Sequence, residues 1–175
     1  MTIHDRHPFA DPDPDPARRF RGRLGGTATL WTAGSDADRA GLTLTSVLVV
    51  LGEPARVLGL VDPDSDLADA LAETGRAVVQ LLTWPDRDLA EGFAGTAPAP
   101  GGVFRQADFV DTEWGPRLAH LTTWAGVRLE ETSEVGWSRL LTCVVEHLEV
   151  GADTDPLLHR RGRWVRAGDQ AAGGS

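Results

Sequence analysis

The sequence predicts a mainly β domain, an antiparallel barrel into which two short helices are inserted. Three observations favour this fold class. Segments rich in Val, Leu, Thr and Trp recur along the chain and are separated by clusters of Gly, Pro, Asp and Ser. Helical spacing is confined to two short segments. Strands and helices do not alternate regularly, as they would in a doubly wound parallel sheet.

Turn-forming residues bound each predicted strand. Within residues 40–51, Thr43 and Thr45 share one face and Leu44 lies on the other, because side chains alternate along a strand. Gln80 interrupts an otherwise apolar strand. The predicted strands cover residues 27–33, 40–51, 56–61, 77–82, 117–131, 138–150 and 163–166.

Capping signals place the two helices. The first is predicted between a capping Asp64 or Ser65 and Gly75, which is suited to end a helix. The second is predicted to begin at Thr83, whose spacing to Asp86 is that of a capping box.

The 175 residues are enough for one folded domain. Residues 1–17 are expected to form a disordered arm, because they contain an alternating Asp-Pro run that excludes a helix or a central strand. The folded domain is predicted over residues 18–167, followed by a flexible tail over 168–175. The glycine-rich Gly22–Gly26 lacks the lysine and spacing of a phosphate-binding loop and is interpreted as a flexible lead-in to the first strand.

Charge and composition exclude several functions. A net charge of −9 argues against nucleic acid and against anionic membrane surfaces as partners. The longest apolar run, Val47–Leu51, is far shorter than a bilayer span, and the N-terminus does not read as a secretion signal. The single cysteine, Cys143, fits a reducing compartment, so a cytoplasmic location is expected.

No standard catalytic or metal-binding motif is present in the sequence. Cys143 and His147 would lie about 13 Å apart along a strand, too far to share one zinc ion, so no metal site is expected. The basic cluster Arg160–Arg163 has two interpretations: a solvated strand end, or a contact for a phosphate or carboxylate group.

Six ordered segments together resemble the flavin reductase-like family, the FMN-binding split barrels, from about Phe20 to Arg166. Each motif is weak alone, and their order carries the resemblance. The segments are TATLWT (27–32), AGLTLTS (40–46), EP (53–54) with RVLGLV (56–61), AVVQLL (77–82), LAEGFAG (89–95) and DPLLHRRGRW (155–164).

The resemblance implies a six-stranded split barrel, usually a homodimer, that binds FMN or FAD near the subunit interface. It further implies reduction of the flavin by NADH or NADPH, with a monooxygenase as a possible partner. Trp137 could contact the flavin, by stacking on it or closing its pocket, or it could pack in the barrel. Arg161 or Arg163 could meet a phosphate. The candidate cofactor-binding residues are Thr43, Leu44, Thr45, Ser46, Asp62, Ser65, Gln80, Leu81, Trp137, Arg161 and Arg163.

The sequence departs from the family pattern at two places. Many family reductases carry Gly-Asp-His where this chain has Gly-Trp-Ser at residues 136–138. Asp62, Asp64 and Asp66 put negative charge at the start of the first helix, whose free N–H groups would otherwise suit a phosphate. Two alternatives to a reductase are therefore kept: a flavin-binding protein without catalytic activity, and a partner-binding barrel that has lost the activity.

Overall fold

The computed structural model describes residues 15–168, and strands account for most of its regular structure. In chain order the strands are β1 (Gly26–Thr27), β2 (Thr29–Ala33), β3 (Ala40–Leu44), β4 (Val47–Val50), β5 (Arg56–Val61), β6 (Arg76–Leu81), β7 (Phe109–Thr112), β8 (Gly115–Leu118), β9 (Trp124–Val135), β10 (Ser138–Glu149), β11 (Leu157–Arg160) and β12 (Arg163–Arg166). Seven of them form one antiparallel sheet in the spatial order β3-β2-β6-β9-β10-β5-β4. The others form a sheet β1-β11-β12 and a hairpin of β7 and β8.

The large sheet is curled, and its two edge strands, β3 and β4, are consecutive in the chain. β3 pairs with β2 and β4 pairs with β5, yet only Thr45 and Ser46 separate β3 from β4. The Leu60 amide donates to the Ser46 carbonyl at 3.1 Å and extends the pairing of β5 to this link. The strand predicted over residues 40–51 is therefore two strands, because one segment serves two edges. Counted once, it gives the six strands expected, and the mainly β antiparallel fold class is confirmed.

The longest strands, β9 and β10, form a hairpin that turns at residues 136–137. Gly136 has a φ of 57°, a conformation that glycine adopts without a steric penalty. The strand predicted over residues 117–131 is wrong at its start, because β8 ends at Leu118 and β9 begins only at Trp124.

The two predicted helices are confirmed at the positions of their caps. The helix named α2 spans Asp66–Thr74, the Ser65 hydroxyl accepts from the Ala68 amide, and Gly75 ends it in the left-handed conformation. The predicted capping box of Thr83 with Asp86 opens a short 3-10 turn that leads into α3 (Arg87–Phe93).

A further helix, α1 (Pro16–Leu24), was not expected from the sequence. The Asp15 carboxylate accepts from the Ala17 amide, and Pro16 begins the helix, where a missing N–H costs nothing. Pro16 and Ala17 therefore belong to a helix and not to the arm. Otherwise the arm and the tail lie almost entirely outside the described residues. Within residues 15–168, every helix is too short or too polar to span a bilayer.

Trp31 lies at the centre of the larger core cluster. It is fully buried, and its indole nitrogen donates to the Thr29 hydroxyl at 3.2 Å. Gly59 on β5 leaves room for the ring, since a Cβ there would lie 2.9 Å from Trp31 Cζ2. α2 covers one side of this cluster with Leu67. A second cluster forms around Phe93 of α3, and the two clusters together form the hydrophobic core.

Candidate functional site

The register of the sheet brings two predicted segments to the same end. Thr29 on β2 pairs with Leu44 on one side and with Leu81 on the other. The residues that follow Leu44 and Leu81 therefore leave the sheet side by side, with β1 passing between them. Clefts open on this end of the molecule.

The larger cleft has a volume of about 750 Å³ and is enclosed by three segments that are distant in sequence. We name it the arginine cleft. Thr45 and Ser46 form one wall at the link between β3 and β4. Its other walls are α1 and the region of the β11–β12 turn, which contribute Arg18, Arg19, Arg21, Arg23, His159 and Arg161.

Of the predicted site residues, the arginine cleft collects Thr45, Ser46 and Arg161. Among the described residues, the side-chain hydroxyls of Thr45 and Ser46 have no hydrogen-bond partner, so both are available to a ligand. Arg161 supports the phosphate interpretation of the basic cluster by its position. Arg163 lies on β12 outside this cleft and is exposed to solvent.

Glycines bring α1 against the rest of the cleft. Gly25 has a φ of 63°, and a Cβ there would lie 2.9 Å from the His159 carbonyl oxygen. A Cβ at Gly26 would lie 2.7 Å from the Thr45 carbonyl oxygen. The interpretation of Gly22–Gly26 as a flexible lead-in is therefore wrong, because these glycines permit close approach of three backbone segments.

The arginine cleft is strongly positive within an acidic chain. Between residues 15 and 168, none of its five arginines forms an ion pair with a carboxylate. The pKa of His159 lies below its usual value, first because of burial and second because of the nearby charge of Arg21. Guanidinium groups match phosphate and carboxylate oxygens with paired N–H donors, so the cleft is chemically suited to anions.

Thr43 and Leu44 lie beside this cleft but do not line it. The Thr43 hydroxyl donates to the Ala90 carbonyl of α3 at 2.8 Å, and Leu44 is buried in the core. The first residue of this segment that lines the cleft is Thr45, which directly follows the end of β3. The alternation along the strand predicted that Thr43 and Thr45 share one face. In the structure Thr43 contacts α3, whereas Thr45 lines the cleft.

Gln80 serves the interior of the sheet. It is fully buried, its side-chain carbonyl accepts from the Leu118 amide at 2.8 Å, and its amide nitrogen lies 3.5 Å from the Thr32 hydroxyl. The polar residue in an apolar strand thus ties β6 to β8. Leu81, on the opposite face of β6, is 41% exposed and lines a smaller cleft of about 540 Å³.

The polar side chains of Asp62 and Ser65 form hydrogen bonds within their own turn and with the start of α2. The Ser65 hydroxyl donates to the Asp62 carbonyl at 2.7 Å and accepts from the Ala68 amide at 3.2 Å. The Asp62 carboxylate accepts from the Asp64 amide at 2.9 Å. Asp62, Asp64 and Asp66 are all exposed, so the N-terminus of α2 presents negative charge to solvent.

Trp137 lies at the tip of the β9–β10 hairpin and is 92% exposed. Of its two interpretations, packing in the barrel is therefore wrong for this chain. The arginine cleft lies at the link that follows β3, and Trp137 is not among the residues that line it. Cys143, by contrast, is buried, and burial raises the pKa of its thiol to about 12, which keeps the sulfur protonated.

An aspartate–histidine pair borders the smaller cleft and was not expected from the sequence. The buried Asp86 carboxylate accepts from the Thr83 amide at 2.9 Å and from the Thr83 hydroxyl at 2.7 Å. Its other oxygen lies 2.7 Å from His120 Nε2, and the His120 ring is half-exposed on the cleft wall. The capping box signalled Asp86, but nothing in the sequence paired it with a histidine 34 positions away.

Residues 21–168 match the model of the flavin reductase like domain, which covers nearly all of the described structure. The chain therefore belongs to the flavin reductase-like family. It is 30% identical over 160 residues to an FMN reductase (NADH), RutF 2, of Methylorubrum extorquens, an alignment that covers 86% of this chain and 89% of the relative.

Two further comparisons agree with this family. The reductase component of 4-hydroxyphenylacetate 3-monooxygenase from Pseudomonas aeruginosa is 24% identical over 148 residues, 81% of this chain and 85% of that protein. The NADH:FAD oxidoreductase SgcE6 of Streptomyces globisporus, solved with NAD and FAD fragments, superimposes with a TM-score of 0.79 at 22% identity. That superposition covers 91% of this chain and 97% of the solved one, and it supports the fold.

Proposed function

We propose that this protein catalyses the reduction of FMN or FAD by NADH or NADPH. The observation that carries the proposal is the arginine cleft, where the free hydroxyls of Thr45 and Ser46 lie in the same cleft as Arg161. Family membership and the names of the relatives, which include FMN reductases that use NADH, support it. The donors in the cleft fit a flavin nucleotide, because hydroxyls and arginine side chains can hold its ring edge, ribityl chain and phosphate.

The protein's part in such a reaction is binding and alignment. A bound flavin supplies the atom that accepts the hydride, so no acid–base side chain is required for that transfer. Thr45 and Ser46 orient the flavin for this transfer. The absence of the Gly-Asp-His motif at residues 136–138 is compatible with this role, because orientation comes from other elements.

The proposed active form of the protein is a homodimer. Leu48 on the edge strand β4 is 68% exposed, and Leu51 just beyond it is 89% exposed. Leu58, which pairs with Leu48, and the exposed Leu60 extend the apolar surface along β5. An exposed apolar edge strand would pair with other chains, and a homodimer that covers β4 and β5 removes that hazard.

The final electron acceptor proposed is a monooxygenase. The similarity to the reductase component of a two-component monooxygenase supports this partner class. In this arrangement the reductase releases reduced flavin to the partner. A cytoplasmic location, where nicotinamide nucleotides are available and cysteines stay reduced, belongs to the same proposal.

The test combines binding with turnover. Riboflavin, FMN and FAD are titrated against tryptophan fluorescence, and NADH or NADPH is then added without oxygen while flavin bleaching is followed. We expect quenching and bleaching in the wild type. Ser46→Ala should weaken flavin binding, whereas Ser133→Ala on the exposed part of β9 should match the wild type.

The outcomes separate the candidate functions. Quenching without oxidation of either nicotinamide nucleotide would replace the reductase by the flavin-binding protein without catalytic activity. Absence of quenching with every flavin would favour a partner-binding barrel. Equal behaviour of Ser46→Ala and the wild type would remove the arginine cleft as the flavin site.

A further inference from the structure

We propose that α1 and Arg161 form a binding site for the diphosphate group of a dinucleotide. The site consists of Arg18, Arg19, Arg21 and Arg23, which line the arginine cleft together with Arg161, next to Thr45 and Ser46. The inference rests on the proposed function for the identity of the dinucleotide, FAD or the nicotinamide nucleotide. The anion site itself follows from the contacts and charges of the chain.

The first argument is the charge of α1. Arg18 and Arg21 are three positions apart, and Arg19 and Arg23 are four apart, so each pair lies on one side of the helix. Like charges at these spacings destabilise a helix, and within residues 15–168 no carboxylate pairs with any of the four. A polyanion bound between them would remove this repulsion. A helix selected only for stability would place glutamates at some of these positions.

The second argument is that α1 is held in place although it buries no side chain. The Arg161 amide donates to the Gly22 carbonyl at 2.9 Å, and Arg160 Nε donates to the Arg23 carbonyl at 3.2 Å. Arg161 adopts a φ of 52°, uncommon for a residue other than glycine, at the turn that makes this contact. These bonds fix the arginines of the helix and Arg161 around the same space.

The third argument is that the N-terminus of α2, where helix N–H groups could attract a phosphate, is unsuitable here. The N-terminus of α2 is surrounded by the exposed carboxylates of Asp62, Asp64 and Asp66. The Ser65 hydroxyl is already used as both a donor and an acceptor. A phosphate group would meet repulsion at α2 and attraction at the arginine cleft, so the charges of the chain direct it to α1.

The number and spread of the arginines favour a diphosphate over a single phosphate. One phosphate is satisfied by one or two guanidinium groups. The arginines of α1 extend over about 7.5 Å of helix axis, at 1.5 Å per residue. Two adjacent phosphates can use this length together with Arg161, while Thr45 and Ser46 remain free for the rest of the ligand.

The test uses the double variant Arg19→Gln/Arg23→Gln and a matched control, Arg76→Gln/Arg105→Gln, whose arginines lie outside the cleft. Calorimetry measures the affinities for ADP and AMP, and tryptophan fluorescence those for riboflavin and FAD. We expect the cleft variant to bind ADP about tenfold more weakly, with unchanged affinity for riboflavin. The control should match the wild type for all four compounds. Thermal unfolding verifies that both variants fold.

The affinity for FAD and the KM for NADH and NADPH show which dinucleotide supplies the diphosphate group. A weaker affinity for FAD with an unchanged KM for NADH and NADPH assigns the site to the flavin. A raised KM for the nicotinamide nucleotide with unchanged FAD affinity assigns it to the reductant. In the wild type, affinity for ADP should fall steeply with salt concentration, because charged contacts are screened.

The inference is overturned if the cleft variant binds ADP as tightly as the wild type, if it loses riboflavin to the same extent as FAD, or if the wild type binds AMP as tightly as ADP. These results differ from failure of the proposed function. A wild type that binds ADP through the arginines but oxidises neither nicotinamide nucleotide keeps the anion site and loses the reductase. A wild type that reduces flavin while the variant binds ADP normally keeps the reductase and loses the anion site.

Discussion

Single residues in this protein show how a local pattern can be recognised while its purpose is missed. Gln80 is conspicuous as a polar residue in an apolar strand, and its family position implies a flavin contact. The structure uses its amide to bind the Leu118 backbone, a partner that depends on the separate β7–β8 hairpin. No local pattern reveals that hairpin, so the side-chain direction was not predictable.

Asp86 provides a test at the same scale. Its buried carboxylate accepts bonds from the Thr83 amide, the Thr83 hydroxyl and His120. We expect Asp86→Ala to lower the free energy of unfolding by about 2 kcal/mol, because a cap and charge-assisted hydrogen bonds are lost together.

Denaturant unfolding measures the change at Asp86. Asp88→Ala serves as the control, since Asp88 is exposed in the first turn of α3. Equal stabilities of the two variants would show that the buried pair with His120 adds nothing to the fold.

At the scale of elements, prediction succeeded where the start and stop signals are local. Ser65 and Gly75 fix α2 from within its own sequence, and the structure agrees. α1 was not predicted, for two reasons. Its cap, Asp15, ends an Asp-Pro repeat that is typical of an extended arm, and the glycines near its end resemble a linker. The arginine cleft needs α1, the link after β3 and the β11–β12 turn, which only the tertiary pairing brings together.

Three carboxylates of the β9–β10 hairpin have lowered pKa values. The pKa of Glu149 lies below its usual value of 4.5, chiefly because of the hydrogen bond with His147 and next that with Trp124. The pKa of Glu146 is lowered chiefly by the hydrogen bond from Trp114, and that of Glu130 is lowered chiefly by the hydrogen bond from Arg56.

The sign of this effect follows from linkage. A carboxylate with a lower pKa in the folded state stabilises the fold above the unfolded pKa, and this stability is lost as the pH falls through the folded pKa. We expect Glu149→Gln to reduce the loss of stability between neutral and acidic pH. Unfolding curves measured across this range test it, with the exposed Glu131→Gln as the control. An identical pH dependence in Glu149→Gln and the wild type would contradict it.

At the scale of the whole molecule, the exposed apolar surface of β4 and β5 is the interface of the proposed homodimer. We expect the wild type to be a dimer of 18.7 kDa chains and Leu48→Lys to be a monomer, because a charge on the edge strand opposes pairing. Light scattering coupled to size-exclusion chromatography measures the mass. Val110→Lys, which places the same charge on the separate hairpin strand β7, should remain dimeric. A monomeric wild type would contradict the proposed interface.

The link of Thr45 and Ser46 has a consequence for motion. These two residues join the edges of the curled sheet and also border the arginine cleft. A ligand held by them restrains the two edges of the curled sheet, so amide protons of β3 and β4 should both exchange with deuterium more slowly when it binds. ADP, held by α1 and Arg161, should slow exchange in the helix and leave exchange in β3 and β4 unchanged.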